Sequence, residues 1–373
     1  MAETLHQIAV FLIPTWPLLA ACLLALMPEA QAGRSARLFA LSGLLLTVLL
    51  DPFLAGQDLL SRWTCLLAGS VPFLSWQEHE KRLALCLNFM ASFAIMLALS
   101  VHTLLPVTCL TACAALILTL RETLVTTRAR QAWESMRLRL AGVVLALLGT
   151  SLTTLIPDPA ILRLGDLFLS VGLCLMAGLG LPVTTREQSG INERGTTLLD
   201  MLLCLSVVAL MLRLPERETT HMVLVLAGLA GLWLCIMTRQ DGPRPLVALS
   251  IIAATLPNGV LPALLLLSSG LVLAAHPAID RSMRCWILSG LPPWPGFAAC
   301  CAIVSGLFDT GAIPALLCLL ALGLLASRAR LGITIPATWQ DRAILGSLFV
   351  LGLASPFLLM LPVSFWSLHW RAP

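Results

Sequence analysis

The sequence predicts an all-α polytopic membrane protein with about 12–13 transmembrane helices. Three observations carry this. Of 373 residues, 58% are apolar and 11% are charged, whereas a soluble domain carries about 25% charged residues. The apolar residues form continuous, leucine-rich runs rather than the alternation of a membrane β-barrel. Polar segments between the runs are short, and mean hydropathy is +0.94.

The first run, 7–27, is about long enough to cross a hydrocarbon core. It lacks a basic leading region and a small-residue cleavage site, so it reads as a span rather than a signal peptide. Further runs fall at 38–56, 83–100, 104–120, 138–156, 160–182, 197–214, 219–238, 245–256, 260–275, 285–307, 311–326 and 341–362. Pro257-Asn258-Gly259 either kinks one long helix or separates two short ones. The longest polar stretches are 57–82 and 121–137. No linker, repeat tract or soluble domain interrupts the pattern, so residues 1–373 are expected to form a single transmembrane domain.

Arginines in short loops set the orientation. The loop carrying Arg121, Arg128, Arg130 and Arg137 is the most basic, and placing it inside puts the N-terminus inside with thirteen spans. Residues 130–139 read as an amphipathic interfacial segment with Trp133 at headgroup depth, or alternatively as a docking surface. The lipid bilayer is thus one partner. Nucleic acid is not expected, because the net charge of +4 is small and scattered.

Twelve cysteines and six histidines show no CxxC and no zinc or haem spacing, so neither a metal site nor another cofactor is expected. An ionisable residue inside a span costs about 2.5–3.5 kcal/mol on insertion scales and persists for a reason. The ion-path candidates are Asp166, Asp200 and Arg244. Asp166 follows Arg163 by three residues, which suits a local ion pair. Asp200, near the start of its run, complements the helix dipole, and Arg244 sits between prolines. Asp51 and Asp309 read as loop or cap residues, and His102 lies at a span end. No lysine follows Lys81, so a lysine relay is excluded.

Ser289-Gly-Leu-Pro-Pro-Trp-Pro-Gly-Phe297 breaks a helix at membrane depth, with Pro292, Pro293, Pro295 and Gly296 as the breaking residues. A lipid-exposed break would strand backbone N–H and C=O groups, so this one requires protein or a wet cavity around it.

Gly290-Leu-Pro-Pro-Trp-Pro-Gly-Phe297 resembles a stretch found in the antiporter-like subunits of respiratory complex I, group 4 membrane-bound hydrogenases and Mrp-type antiporters. In that family a lysine follows after two residues; here that position is Cys300. The run from Gly172 to Pro182 is similar to the family's central helix, with Met176 at its lysine and Val183 or Thr184 at its histidine. Arg244-Pro-Leu-Val-Ala-Leu-Ser250 resembles a third family segment, with Arg244 at a lysine. The family's early intramembrane glutamate has no clear counterpart near 104–120. The resemblance implies two inverted five-helix repeats with broken helices, about 104–238 and 245–362. It implies a membrane subunit of a hetero-oligomeric complex in an energy-coupling membrane, such as the bacterial inner membrane.

The expected function is therefore that of a mainly structural subunit of a complex I-like or hydrogenase-like assembly, with its own proton path degenerate. The alternatives are an active proton- or cation-translocating subunit and an unrelated polytopic transporter. The sequence has no flavin, nicotinamide or iron–sulfur motif, so redox chemistry would belong to partner subunits and no catalytic residue is assigned.

Overall fold

The computed structural model describes residues 2–50, 59–75, 80–101, 103–125, 129–155, 158–179, 192–215, 217–238, 242–276, 281–329 and 339–360. Asp51, His102, Val183 and Thr184 lie outside these residues. Among the described residues the secondary structure is entirely helical. The helices are α1 Ala2–Leu26, α2 Glu29–Leu50, α3 Leu59–Leu74, α4 Arg82–Ser100, α5 Leu104–Val125, α6 Ala129–Leu155, α7 Pro159–Met176 and α8 Asn192–Met211, followed by α9 Glu218–Met237, α10 Arg244–Ala253, α11 Val260–Ala275, α12 Arg281–Leu288, α13 Pro295–Thr310, α14 Ala312–Ala326 and α15 Trp339–Leu359. Six helices are long and apolar enough to cross a membrane by length and composition, and seven shorter apolar helices accompany them. The chain divides into two compact units, residues 1–210 and 211–373.

Two sequence expectations change. The stretch 57–82, read as polar, contains helix α3. Its Ser61, Arg62, Thr64 and Ser70 interrupt the apolar run without ending the helix, which also continues past Pro72. Thr64 returns its hydroxyl to the Leu60 carbonyl at 2.6 Å, and Ser70 to Leu67 at 2.7 Å, so these hydroxyls need no water. Arg121, assigned above to a loop, lies within α5.

In the first unit, α1 and α2 are tied by the Trp16 indole N–H, which donates to the Phe39 carbonyl at 3.1 Å. A small-residue stripe, Ala32, Gly33, Ala36 and Ala40, is the buried face of α2. Helices α6 and α7 meet backbone to backbone. A Cβ on Gly149 would lie 2.3 Å from the Leu169 nitrogen, and one on Gly172 would lie 2.4 Å from the Ala146 nitrogen. Small residues at such crossings replace the hydrophobic drive that lipid cannot supply. Helix α7 starts sharply because Asp158 caps it, accepting from the Ala160 N–H at 2.9 Å, with Pro159 in the first turn where no donor is needed.

In the second unit both suspected breaks are present. Helices α10 and α11 are separate, divided at 254–259, so Pro257-Asn258-Gly259 ends one helix rather than kinking it. Helices α12 and α13 flank the break at 289–294, and α13 restarts with Pro295 in its first turn.

Candidate functional site

The densest chemistry among the described residues lies in the first unit, at the end where α5 finishes and α6 begins. Arg121 and Glu122, adjacent on α5, are 1% and 3% exposed. Arg121 pairs with Glu80, which precedes α4. Glu80 also accepts from the Asn88 amide of α4 at 3.2 Å. Arg139 of α6 is 3% exposed. One of its terminal nitrogens lies 3.2 Å from the Glu122 carboxylate, and the other lies 2.5 Å from Asp200 on α8. A single guanidinium thus joins carboxylates from two other helices, and the Arg121–Glu80 pair extends the charged layer toward α4.

Each pair is buried for a helical reason. On α6, Arg139 lies three residues before Gly142, seven before Ala146 and ten before Gly149, the face that meets α7. Arg137 and Trp133, on the other side, are exposed. On α5, Arg121 and Glu122 are consecutive and therefore about 100° apart around the helix. That separation lets one reach Glu80 and the other Arg139. Outside the spans, burial raises the Glu80 carboxyl above its ordinary value, while Arg121 and the Asn88 amide act against that rise.

Chemically, the cluster is a fixed-charge lock. Arginine presents five donors in a planar fork and stays protonated in proteins. It holds two carboxylates at once but cannot accept and release a proton as a lysine does. Deeper in the same unit, interhelical contacts are made by hydroxyls. Thr150 of α6 donates to Thr108 of α5 at 3.2 Å, and Thr111 of α5 lies 3.1 Å from Ser206 of α8.

Of the three ion-path candidates, Asp200 lies in this cluster. Asp166 is buried on α7, whereas Arg163, three residues earlier, is exposed. Arg244 is the first residue of α10 in the second unit and is half-buried there. Asp309, in the last turn of α13, is exposed. Among the described residues, no group of three or more His, Cys, Asp or Glu side chains is placed to hold a metal ion.

The sequence reading missed Glu80, Arg121, Glu122 and Arg139. A signal for three of them was present. Extending the run at 104 by one turn carries Arg121 and Glu122 into the helix. The small residues after Arg139 recur on its own face, which marks that face as packed.

Met176 and Cys300, two of the positions that the sequence resemblance compares with lysines, are tightly filled. Met176, at the end of α7, is 1% exposed, and a Cβ on Gly142 would lie 3.0 Å from its Cγ. Cys300 on α13 is 5% exposed. It packs on Gly290, whose φ of +62° lies in the left-handed region, and a Cβ there would fall 2.6 Å from the Cys300 sulfur. Protein covers one side of the break: Trp294, Pro295 and Gly296 are buried, whereas Pro292 is exposed. Turn bonds satisfy several of its N–H groups, including Ser289 to Cys285 at 3.0 Å and Phe297 to Trp294 at 2.9 Å. Gly352 of α15 seats on the Pro293 carbonyl so closely that a Cβ would lie 1.8 Å from the oxygen.

No family model matches the chain, and no curated protein matches it in sequence. A solved structure does match in fold: a chain of respiratory complex I from Thermus thermophilus with bound aureothin, at a TM-score of 0.68 and 17% identity. The match covers 94% of this chain and 98% of that one. The protein is thus an all-helical polytopic membrane protein with the fold of a complex I chain.

Proposed function

We propose that this chain is an antiporter-like membrane subunit of a complex I-like or membrane-bound-hydrogenase-like assembly, and that its role is mainly structural. In this reading 104–238 and 245–362 are inverted repeat halves, and neighbouring membrane subunits are its partners in an energy-coupling membrane. The fold match supports the class. The structural role is carried by one observation: the buried cation that joins α5, α6 and α8 is Arg139, a group that cannot relay a proton. Met176 and Cys300, packed and uncharged, stand where the resemblance places working lysines. An arginine lock positions helices and keeps the charge arrangement constant while a partner does the transport.

Two experiments test this. Purification of the untagged chain from its native membrane should recover neighbouring membrane subunits; a stable lone monomer would sink the subunit reading. In the assembled complex, D166N, D200N and R244Q should leave ion pumping by membrane vesicles within about twofold of wild type. This is well short of the tenfold loss that 1.4 kcal/mol on a rate-limiting barrier would produce. If pumping stops while assembly is intact, the chain translocates ions itself.

A further inference from the structure

Three arginines whose side chains the structure describes lie near the end of α5 or in the first three turns of α6, and they meet different fates. Arg121 and Arg139 are buried and paired. Arg137 is exposed, and no ion pair among the described residues engages it. It stands one residue inside the start of the apolar segment Met136–Leu155. Trp133, one turn earlier on the same face, is 60% exposed. Below Arg137 the outward face of α6 continues through Ala141, Val144, Leu148 and Leu155, all exposed. Helix α5 runs beside it and turns Leu116, Leu120 and Leu124 outward at the same end. From Arg137 to Leu155 the helix rises about 27 Å at 1.5 Å per residue, close to the ~30 Å of a hydrocarbon core.

The order along this face is indole, guanidinium, then a track of about one bilayer's depth that is apolar except for half-buried Ser151, whose hydroxyl bonds back to the Leu147 carbonyl. That is the order of a phospholipid's own parts. We propose that Trp133 and Arg137 form a headgroup site for an anionic phospholipid whose acyl chains lie along Ala141, Val144 and Leu148 of α6 and Leu116 and Leu120 of α5. The charge selects the lipid. An outward-facing guanidinium at headgroup depth donates to a phosphodiester, and a net-negative headgroup adds long-range attraction that a zwitterionic one lacks. The indole, amphipathic and at the same level, fixes the depth of the site. The two neighbouring arginines do not compete for the ligand, because carboxylates already hold them. This inference stands on the α5–α6 surface alone and does not require the chain to be a complex subunit.

The test uses the full-length chain in phosphatidylcholine nanodiscs doped with phosphatidylglycerol, with retained lipids counted by native mass spectrometry after detergent extraction. The wild type should retain phosphatidylglycerol in preference to phosphatidylcholine. R137Q should reduce that preference about fivefold, the worth of one arginine at an anionic surface. R137K should keep most of it, W133A should weaken it less than R137Q, and R163Q, an exposed arginine on α7, should leave it unchanged. The proposal is overturned if R137Q retains as much phosphatidylglycerol as wild type, or if R163Q loses as much as R137Q, which would mean diffuse charge. It is equally overturned if R137Q, in the native membrane, loses a co-purifying protein while lipid retention stays constant; the face would then be a protein contact.

Discussion

In residues 1–210 the buried polar groups are largely side chains, and side chains from other helices answer them: Arg139 by Glu122 and Asp200, Thr111 by Ser206. In residues 211–373 the conspicuous polar groups are backbone N–H and C=O groups released at two helix breaks. Local turn bonds answer them, and glycines let neighbouring backbone approach. The difference teaches that a broken helix and a buried charge are separate signals. The break at 289–294 looks like a candidate wet path, yet Gly352 packs on its Pro293 carbonyl and Cys300 on its Gly290. Of the clustered charges, Glu80, Arg121 and Glu122 lie where the sequence suggested polar stretches, and Arg139 and Asp200 lie near the starts of expected runs.

The largest expected effect comes from removing the cation in the first unit. R139L leaves the buried Glu122 and half-buried Asp200 carboxylates without their shared partner and should cost about 3–5 kcal/mol, read as a lower melting temperature in detergent. R139K should recover part of this loss, because an ammonium keeps the charge without the fork. Next in size is the α6–α7 contact. G172A forces a methyl against the Ala146 backbone and should cost about 1–3 kcal/mol. If it is silent, the helices do not meet as described.

In the second unit, G290A places a residue with a Cβ in the left-handed region, at about 1–2 kcal/mol, and also displaces the Cys300 sulfur. Pairing it with C300A should relieve the steric part and leave the backbone part, so the double variant should melt above G290A alone. The smallest effect concerns pH. Because burial raises the Glu80 carboxyl, the folded state holds that proton more tightly than the unfolded chain does. Its contribution is therefore complete below the ordinary glutamate value and declines as pH rises through the raised one. E80Q should flatten that part of the melting-temperature profile; an unchanged profile would assign the titration to another group.

How much was legible depended on the kind of signal. Helix breaks were plain, because proline and glycine act on their own backbone: Pro257-Asn258-Gly259 and the 289–297 segment both mark real interruptions. Helix α3 was not, because Ser61, Arg62 and Thr64 lower hydropathy although the hydroxyls bond within their own helix. Asp200 was singled out, but as a dipole-complementing residue, since nothing near it in sequence announces Arg139, 61 positions away. Arg121 and Glu122 fell outside the expected run at 104–120 by one and two residues.

The sequence by itself determined the solvent this chain is built for, its division into helices and the places where those helices stop. Composition and backbone-breaking residues act locally, so they can be read without knowing what packs on what. Only the tertiary structure decided which charges are buried and which are free. Arg137 and Arg139 differ by two positions on one helix, and two positions turn a side chain by about 200°. One guanidinium therefore meets Glu122 and Asp200 from two other helices, while the other is left facing outward.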